Sequence, residues 1–402
     1  MKKRELEREG KSWVDEGIIT KEQLNKILQR KQNDNPNYII ILFAVLMTGL
    51  GILTFIMSDW ARAPHLSRII IIIAVMLFLY FLGDVLYRKR EELLGISFVV
   101  LGYVVFGAGL LLVLHIYHVS IYSGWPFLIW GIVGLLFFYI YQHTLLFSVA
   151  IIVSIVGQIY GGLGFSEFNW FLFILFLFGF GYIVYSKHRK LYSYLFSIGY
   201  IIQMIVFSTT EFEQYYWFIV LILPLYIGSN LLSDNVHRLP IKYISLGAMF
   251  IFGMYQAFIL QESWYYEEVY FEFSFFVVWL ILFIIGITLK WWQKVNGEMV
   301  ELILFLPIMF LPFSYLLSLV VLFLFSLGWI FIGYLKTNQR YILFGTTAFL
   351  FSTFTVYIQF AWDALDKSLF FFIGGILLFL ISFFIEKQRR KLVSEKKESE
   401  ML

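Results

Sequence analysis

The 402-residue chain contains no cysteine. That excludes disulfides, thiolate metal sites and a cysteine nucleophile, and it leaves the redox compartment open. Charge is scarce as well: 14% of residues are Asp, Glu, Lys or Arg, and the net charge of +3 is too small to point to nucleic acid. Motifs of acyl transfer and metalloproteolysis, Gly-x-Ser-x-Gly and His-Glu-x-x-His, are missing, as is a paired intramembrane aspartate, so enzymatic activity is not expected. No small-residue cleavage site follows a short apolar core, so the first apolar run, from Tyr38, is expected to stay as an anchor.

What the chain does contain is hydrocarbon. Sixty per cent of its residues are hydrophobic and the mean hydropathy is +0.81, far more apolar matter than one soluble core encloses. Uncharged stretches of about 20 residues recur along almost the whole length, each enough to cross ~30 Å of hydrocarbon as a helix. Stretches such as IIIIIAVMLFLYF (69–81) lack the alternation of a transmembrane barrel strand. The expected fold is all-α, a polytopic helix bundle.

Lys and Arg gather in every second polar break: RKREE (88–92), KHRK (187–190), VHRLPIK (236–242), KWWQK (290–294), KTNQR (336–340) and EKQRRK (386–391). The positive-inside rule puts these on the cytoplasmic side, and puts the acidic or neutral breaks SEFN (166–169), EFEQ (211–214), QESWYYEEVYFEF (261–273) and WDALDKS (362–368) outside. Counting crossings this way predicts about 14 spans with both termini inside. The count requires Val300 to Leu335 to divide near Pro312 to Tyr315, as two short helices or as a re-entrant segment broken at Pro307 and Pro312. Hairpins beginning Lys242-Tyr243 and Arg340-Tyr341 also match at Gly247 and Gly345, which fits either duplication or the interfacial preference of aromatic residues.

Residues 1–36 read as a small cytoplasmic helical hairpin, 37–386 as the bundle and 387–402 as a charged tail. In the leader, Gly17 ends a first helix, and Thr20 with Gln23 forms a capping-box pattern opening a second. Its apolar points, among them Trp13, Ile18, Ile27 and Leu28, need a surface to rest on: the membrane, the chain's own inner loops, or a protein partner.

WVDEGIITKEQLNKIL (13–28), followed by a first span ending in Ser58-Asp59-Trp60, resembles a bacterial family of polytopic membrane proteins, domain of unknown function 2157. The ending KSLFFFIGGILLFLISFFIEKQRRKL (367–392) is similar to the glycine-pair, Glu and Arg-Arg ending of such proteins. The resemblance implies a bacterial inner-membrane location and no particular activity. Where the family usually has Asn before the tryptophan, this chain has Asp59.

Candidate sites are few. DWARAPHLSR (59–68) reads as a tight outer turn, with Pro64 stopping one helix and Ser67 able to cap the next. Trp60 there marks the headgroup boundary. His65, His115 and His118 would fall at one level and suit a metal or a pH sensor, but no acidic partner accompanies them, so no metal and no other cofactor is expected. Asp84 and Arg88 read as an interfacial ion pair, and Glu298 and Glu301 as marginal groups of the same kind. Gln158, Gln203 and Gln256 lie deeper, as interhelical bridges or as the lining of a ligand cavity with Asp59 and Trp60. Gly107, Gly109, Gly374 and Gly375 lie in apolar spans and read as helix-packing positions.

Two functional classes fit. One is a transporter or flippase-like protein for a small amphipathic or lipid-like substrate, favoured by many spans and negligible soluble mass. The other is a membrane scaffold or regulator that docks a partner through the N-terminal hairpin. Membrane lipids are expected partners of either.

Overall fold

A computed structural model describes residues 38–57, 64–89, 91–118, 124–212, 214–261, 269–293, 296–364, 366–369 and 371–376, together with residues 13, 14, 17, 19, 20, 23, 24, 379, 383 and 387. Among them there is no strand, as expected of a chain whose apolar runs carry helical rather than alternating patterns.

The helices are α1 (Tyr38–Met57), α2 (His65–Arg88), α3 (Glu92–Ile116), α4 (Trp125–Tyr141), α5 (Thr144–Phe165), α6 (Trp170–Ser186), α7 (Lys190–Glu211), α8 (Trp217–Leu231), α9 (Asn235–Ile259), α10 (Phe273–Trp292), α11 (Ser314–Leu335), α12 (Gln339–Ala364) and α13 (Lys367–Ile376). Among the described residues seven of these, α2, α3, α5, α7, α10, α11 and α12, are long and apolar enough to cross a membrane. The figure of about 14 crossings therefore takes in segments that are shorter, such as the 15-residue α8 and the 17-residue α4. Large apolar side chains face outward: α2 exposes Ile70, Leu77, Phe78 and Phe81, which only a lipid environment makes favourable.

The chain divides into two compact units, Met1–Ile121 with Trp125–Val153, and Tyr122–Gly124 with Ser154–Leu402. In the first, α2 and α3 form a hairpin in which Gly83 and Gly95 bring the backbones into contact; a Cβ at Gly95 would lie 2.5 Å from the Tyr87 nitrogen. Asp84 and Arg88 pair at 2.7 Å, as their spacing suggests. Between α3 and α4, Tyr103 donates its hydroxyl to the Trp130 carbonyl at 2.8 Å, and the Trp130 indole donates to the Tyr103 carbonyl at 3.1 Å. Gly107 makes room for that indole.

In the leader, Gly17 adopts φ +72 and donates to the Val14 carbonyl at 3.1 Å, and Ile19 donates to the Trp13 carbonyl at 3.3 Å, so the first turn ends on a left-handed glycine. The Thr20 amide donates to the Gln23 side chain at 2.9 Å and the Gln23 amide to the Thr20 hydroxyl at 3.2 Å, the reciprocal capping box. Trp13 is half-buried; Ile18, Ile27 and Leu28, like Asp59 and Trp60, lie outside the described residues. Ser67 does not cap α2. The helix starts at His65, directly after Pro64, and the Ser67 hydroxyl donates back to the Pro64 carbonyl at 2.7 Å, because the fixed φ of proline has already set the entry.

The second unit holds α6 to α13. Two of its elements depart from regular α geometry. α6 contains a π-helical stretch over Leu175–Phe180 whose Phe176 and Phe180 are fully buried. The segment before α11 is not an α-helix: Asn296–Phe305 and Ile308–Phe310 are 3-10 helices interrupted at Pro307, and Phe313, in the left-handed region at φ 58, precedes Ser314 and the start of α11. Val300 to Leu335 thus divides where expected, but its first part is a broken 3-10 segment. Proline supplies no amide hydrogen to a helix, and Trp279 donates to the Phe305 carbonyl at 2.8 Å, covering one of the carbonyls at the break. The likeness of the hairpins beginning at Lys242 and Arg340 does not extend to roles. Lys242 is buried where Arg340 is exposed, and a Cβ at Gly345 would meet the Ile330 nitrogen at 2.6 Å where Gly247 has open space.

Replacing Gly107 by alanine would place a carbon 1.9 Å from the Trp130 ring, so Gly107→Ala is expected to cost about 1–3 kcal/mol, whereas Gly51→Ala, with open space around it, should be neutral or stabilising. Thermal unfolding of both variants in detergent checks the contrast, and equal midpoints would refute it.

Candidate functional site

Helix α9 places Lys242, Ser245, Met249, Gly253 and Gln256 at intervals of three and four residues, with Leu246 beside them, and this stripe faces the core of the second unit. Lys242 therefore cannot reach water from its position in the α9 turn beyond Pro240. Helix α10 does the same with Lys290, an isolated cation near its end that is 1% exposed. Two buried ammonium groups demand anions.

The 3-10 helix supplies them. With three residues per turn, positions three apart eclipse, so Glu298 and Glu301 point the same way from Asn296–Phe305; α-helical winding would splay them. Lys242 Nζ lies 2.5 Å from Glu298 Oε2 and 2.7 Å from Glu301 Oε1. Lys290 Nζ lies 2.8 Å from Glu301 Oε2 and 3.9 Å from Glu298 Oε2. The Tyr226 hydroxyl of α8 donates to Glu301 Oε2 at 2.5 Å. At the rim, Lys336 reaches Glu298 Oε1 at 3.5 Å with 43% of its side chain exposed. The two lysines also lie near aromatic rings, Lys242 at 5.8 Å from the centre of Trp329 and Lys290 at 5.4 Å from that of Tyr226.

The result is a cage of two buried cations and two buried anions, joined through Lys336 to the surface. Its charges balance, which is the condition under which ion pairs persist in a low-dielectric interior. A continuous chain of acid and base runs from Lys336 through Glu298, Lys242 and Glu301 to Lys290 and Tyr226, and such chains pass protons or respond to a bound charge.

Two sequence readings are corrected here. Lys242 and Lys290, counted as loop cations, are turned inward, and Glu298 and Glu301, treated as marginal, form the most buried acidic pair among the described residues. The available signal was a Glu-x-x-Glu spacing that runs into the apolar ELILFLP, with an isolated lysine ahead of it in ITLKWW.

A separate apolar cavity of about 600 Å³ opens along α7 and α9. Ile202 and Ile205 line it from α7, Tyr243, Gly247 and Ile251 from α9, with Tyr215 at one end. Gln158, Gln203 and Gln256 are buried but do not line this cavity, because each faces inward from its helix. Gly162 packs against Val206 and Gly199 against Ile155, so α5 and α7 run in register and Gln158 and Gln203 come to one level. The amide atoms of both have no hydrogen-bond partner among the described residues. His65, His115 and His118 are exposed and do not come together as a three-ligand group among the described residues.

Cutting one charge out of the cage leaves its partner buried and unpaired. Lys290→Met and Glu301→Gln are each expected to cost about 3–5 kcal/mol, and the double variant less than the sum, since Lys242 and Glu298 remain matched. Equilibrium unfolding in detergent measures the coupling, and strict additivity would show that the charges act independently.

No curated protein and no solved structure matches the chain. Residues 11–147, about a third of the chain, match the model of the family described as Predicted membrane protein (DUF2157), the same family that the leader and first span resemble.

Proposed function

We propose that this membrane protein is a transporter or flippase-like protein for a small amphipathic or lipid-like molecule, and that it resides in a bacterial inner membrane with both termini in the cytoplasm. The observation that carries the reading is the two-sided character of α9. One side of the helix, through Tyr243, Gly247, Ile251 and Tyr255, forms the apolar groove, and the adjacent side, beginning at Lys242, enters the ion cage. An acyl chain fits the groove by its apolar lining, which Ile202, Ile205 and Ile251 provide along its length. Pro240, two residues before Lys242, removes a backbone hydrogen bond and lets α9 bend there. A substrate that displaces α9 would then alter the spacing of the cage, and the cage would supply the charge that movement requires.

The cytoplasmic assignment is supported by the basic breaks at 187–190 and 336–340. The absence of native cysteine makes single-cysteine labelling clean: Arg340→Cys should react with impermeant reagents only from the cytoplasmic side and Glu167→Cys only from the opposite side. Labelling of both from one side would overturn the topology.

Gly247 tests the transport reading, because no atom lies within 4 Å of the Cβ it lacks and a larger side chain enters the groove rather than the core. In proteoliposomes containing nitrobenzoxadiazole-labelled phospholipid or lysophospholipid, the wild-type protein should accelerate loss of inner-leaflet fluorescence to dithionite. Gly247→Phe should fall to the rate of protein-free vesicles while keeping the wild-type unfolding midpoint. Wild-type rates equal to protein-free vesicles for both probes would sink the proposal.

A further inference from the structure

A second cluster of chemistry-bearing side chains sits apart from the ion cage, where the α6–α7 connection meets the start of α9. Asp234 is the N-cap of α9: its Oδ1 accepts from the Val236 amide at 2.9 Å, as a capping aspartate does. That leaves Oδ2 for other partners. His188 Nδ1 lies 2.9 Å from it, and His237 Nε2, one turn into α9, lies 3.8 Å from it. The two imidazoles stack with centroids 5.4 Å apart. One ligand atom from each of the three side chains lies within 4.8 Å of the others.

His237 decides what the cluster is for. It is 3% exposed, and its Nδ1 is 2.8 Å from the hydroxyl of Ser193 on α7, whereas its Nε2 is buried with no hydrogen-bond partner. In the tautomer that donates Nδ1–H to Ser193, Nε2 presents a bare lone pair toward a carboxylate oxygen; in the other, Nε2–H faces that oxygen at 3.8 Å, too far for a hydrogen bond. In either tautomer the buried Nε2 is left without a hydrogen bond, 3.8 Å from a carboxylate oxygen. A cation between the two would satisfy both. At ligand distances of about 2.0–2.1 Å, neighbouring donors of a tetrahedral ion stand about 3.3–3.5 Å apart, between the two separations seen here.

We propose that His188, Asp234 and His237 form a binding site for a divalent transition-metal ion of the zinc type. Two imidazoles and one carboxylate select a borderline ion over calcium or magnesium, which prefer sites built from oxygen alone. Ser193 is the outer-shell partner that sets the His237 tautomer, and the Val236 amide holds the carboxylate from behind. His188 is exposed, so the fourth coordination position is open to solvent. The ion would tie the α6–α7 connection to the first turn of α9.

The test uses the full chain without a polyhistidine tag, stripped of metal in detergent and titrated with zinc and, for its spectrum, cobalt(II). One ion per chain is expected, with the intense visible bands of four-coordinate cobalt. His188→Ala, at an exposed position, should lower affinity at least tenfold, and Ser193→Ala by about tenfold or more through the lost hydrogen bond to Nδ1. His65→Ala, His115→Ala and His118→Ala combined should leave binding unchanged. The proposal is overturned by failure of the wild-type chain to take up a stoichiometric ion, by unaltered affinity in His188→Ala and Ser193→Ala, or by loss of binding in the triple histidine variant.

Discussion

Taking an ammonium or a carboxylate out of water costs several kcal/mol, and two of each can be buried in one place only if they neutralise one another. In this chain the constraint falls on Lys242, Lys290, Glu298 and Glu301, and it organises the elements that carry them. The 3-10 winding of Asn296–Phe305 brings the two glutamates to one side. α9 and α10 must present their lysines to that side, and α8 must bring Tyr226 to the remaining lone pairs. A one-residue rotation of any of these elements would strand a charge.

The same constraint explains an unusual backbone. A ten-residue 3-10 helix is long for a geometry whose hydrogen bonds are poorer than those of an α-helix, and its broken end, with Pro307 and the left-handed Phe313, leaves carbonyls that the surrounding side chains must cover. Irregular backbone of this kind is tolerated among apolar helices only where protein or water covers it. Trp279 does so at Phe305, and Tyr226, its ring tilted against the same phenylalanine with centres 5.1 Å apart, closes the space beside it. Strain in the segment and charge in the cage are therefore compensated by the same neighbours.

On the proposed reading, α9 is the element that makes the arrangement useful. Three kinds of surface share the helix: a capping turn with Asp234 and His237, a charged contact at Lys242, and an apolar groove from Tyr243 to Tyr255. Pro240 separates the first from the other two. A helix so divided can answer to metal at one end and to an amphipathic molecule along its flank, and the ion cage lies between those inputs.

The sequence by itself determined the solvent and the kind of fold. Apolar runs without alternation permit only helices, Pro64 determines where α2 begins, and Gly17, Thr20 and Gln23 specify the leader turn, all through interactions within a few residues. It also marked the break near Pro312, since proline acts locally. What it did not disclose was the pairing of Lys242 with Glu298, 56 residues away, of Tyr226 with Glu301, 75 away, and of Ser193 with His237, 44 away. A lysine at the end of a span has the same spelling whether it faces water or turns inward. Only the tertiary structure decided which, because the sign of its contribution depends on whether a carboxylate from a distant element arrives at the same point.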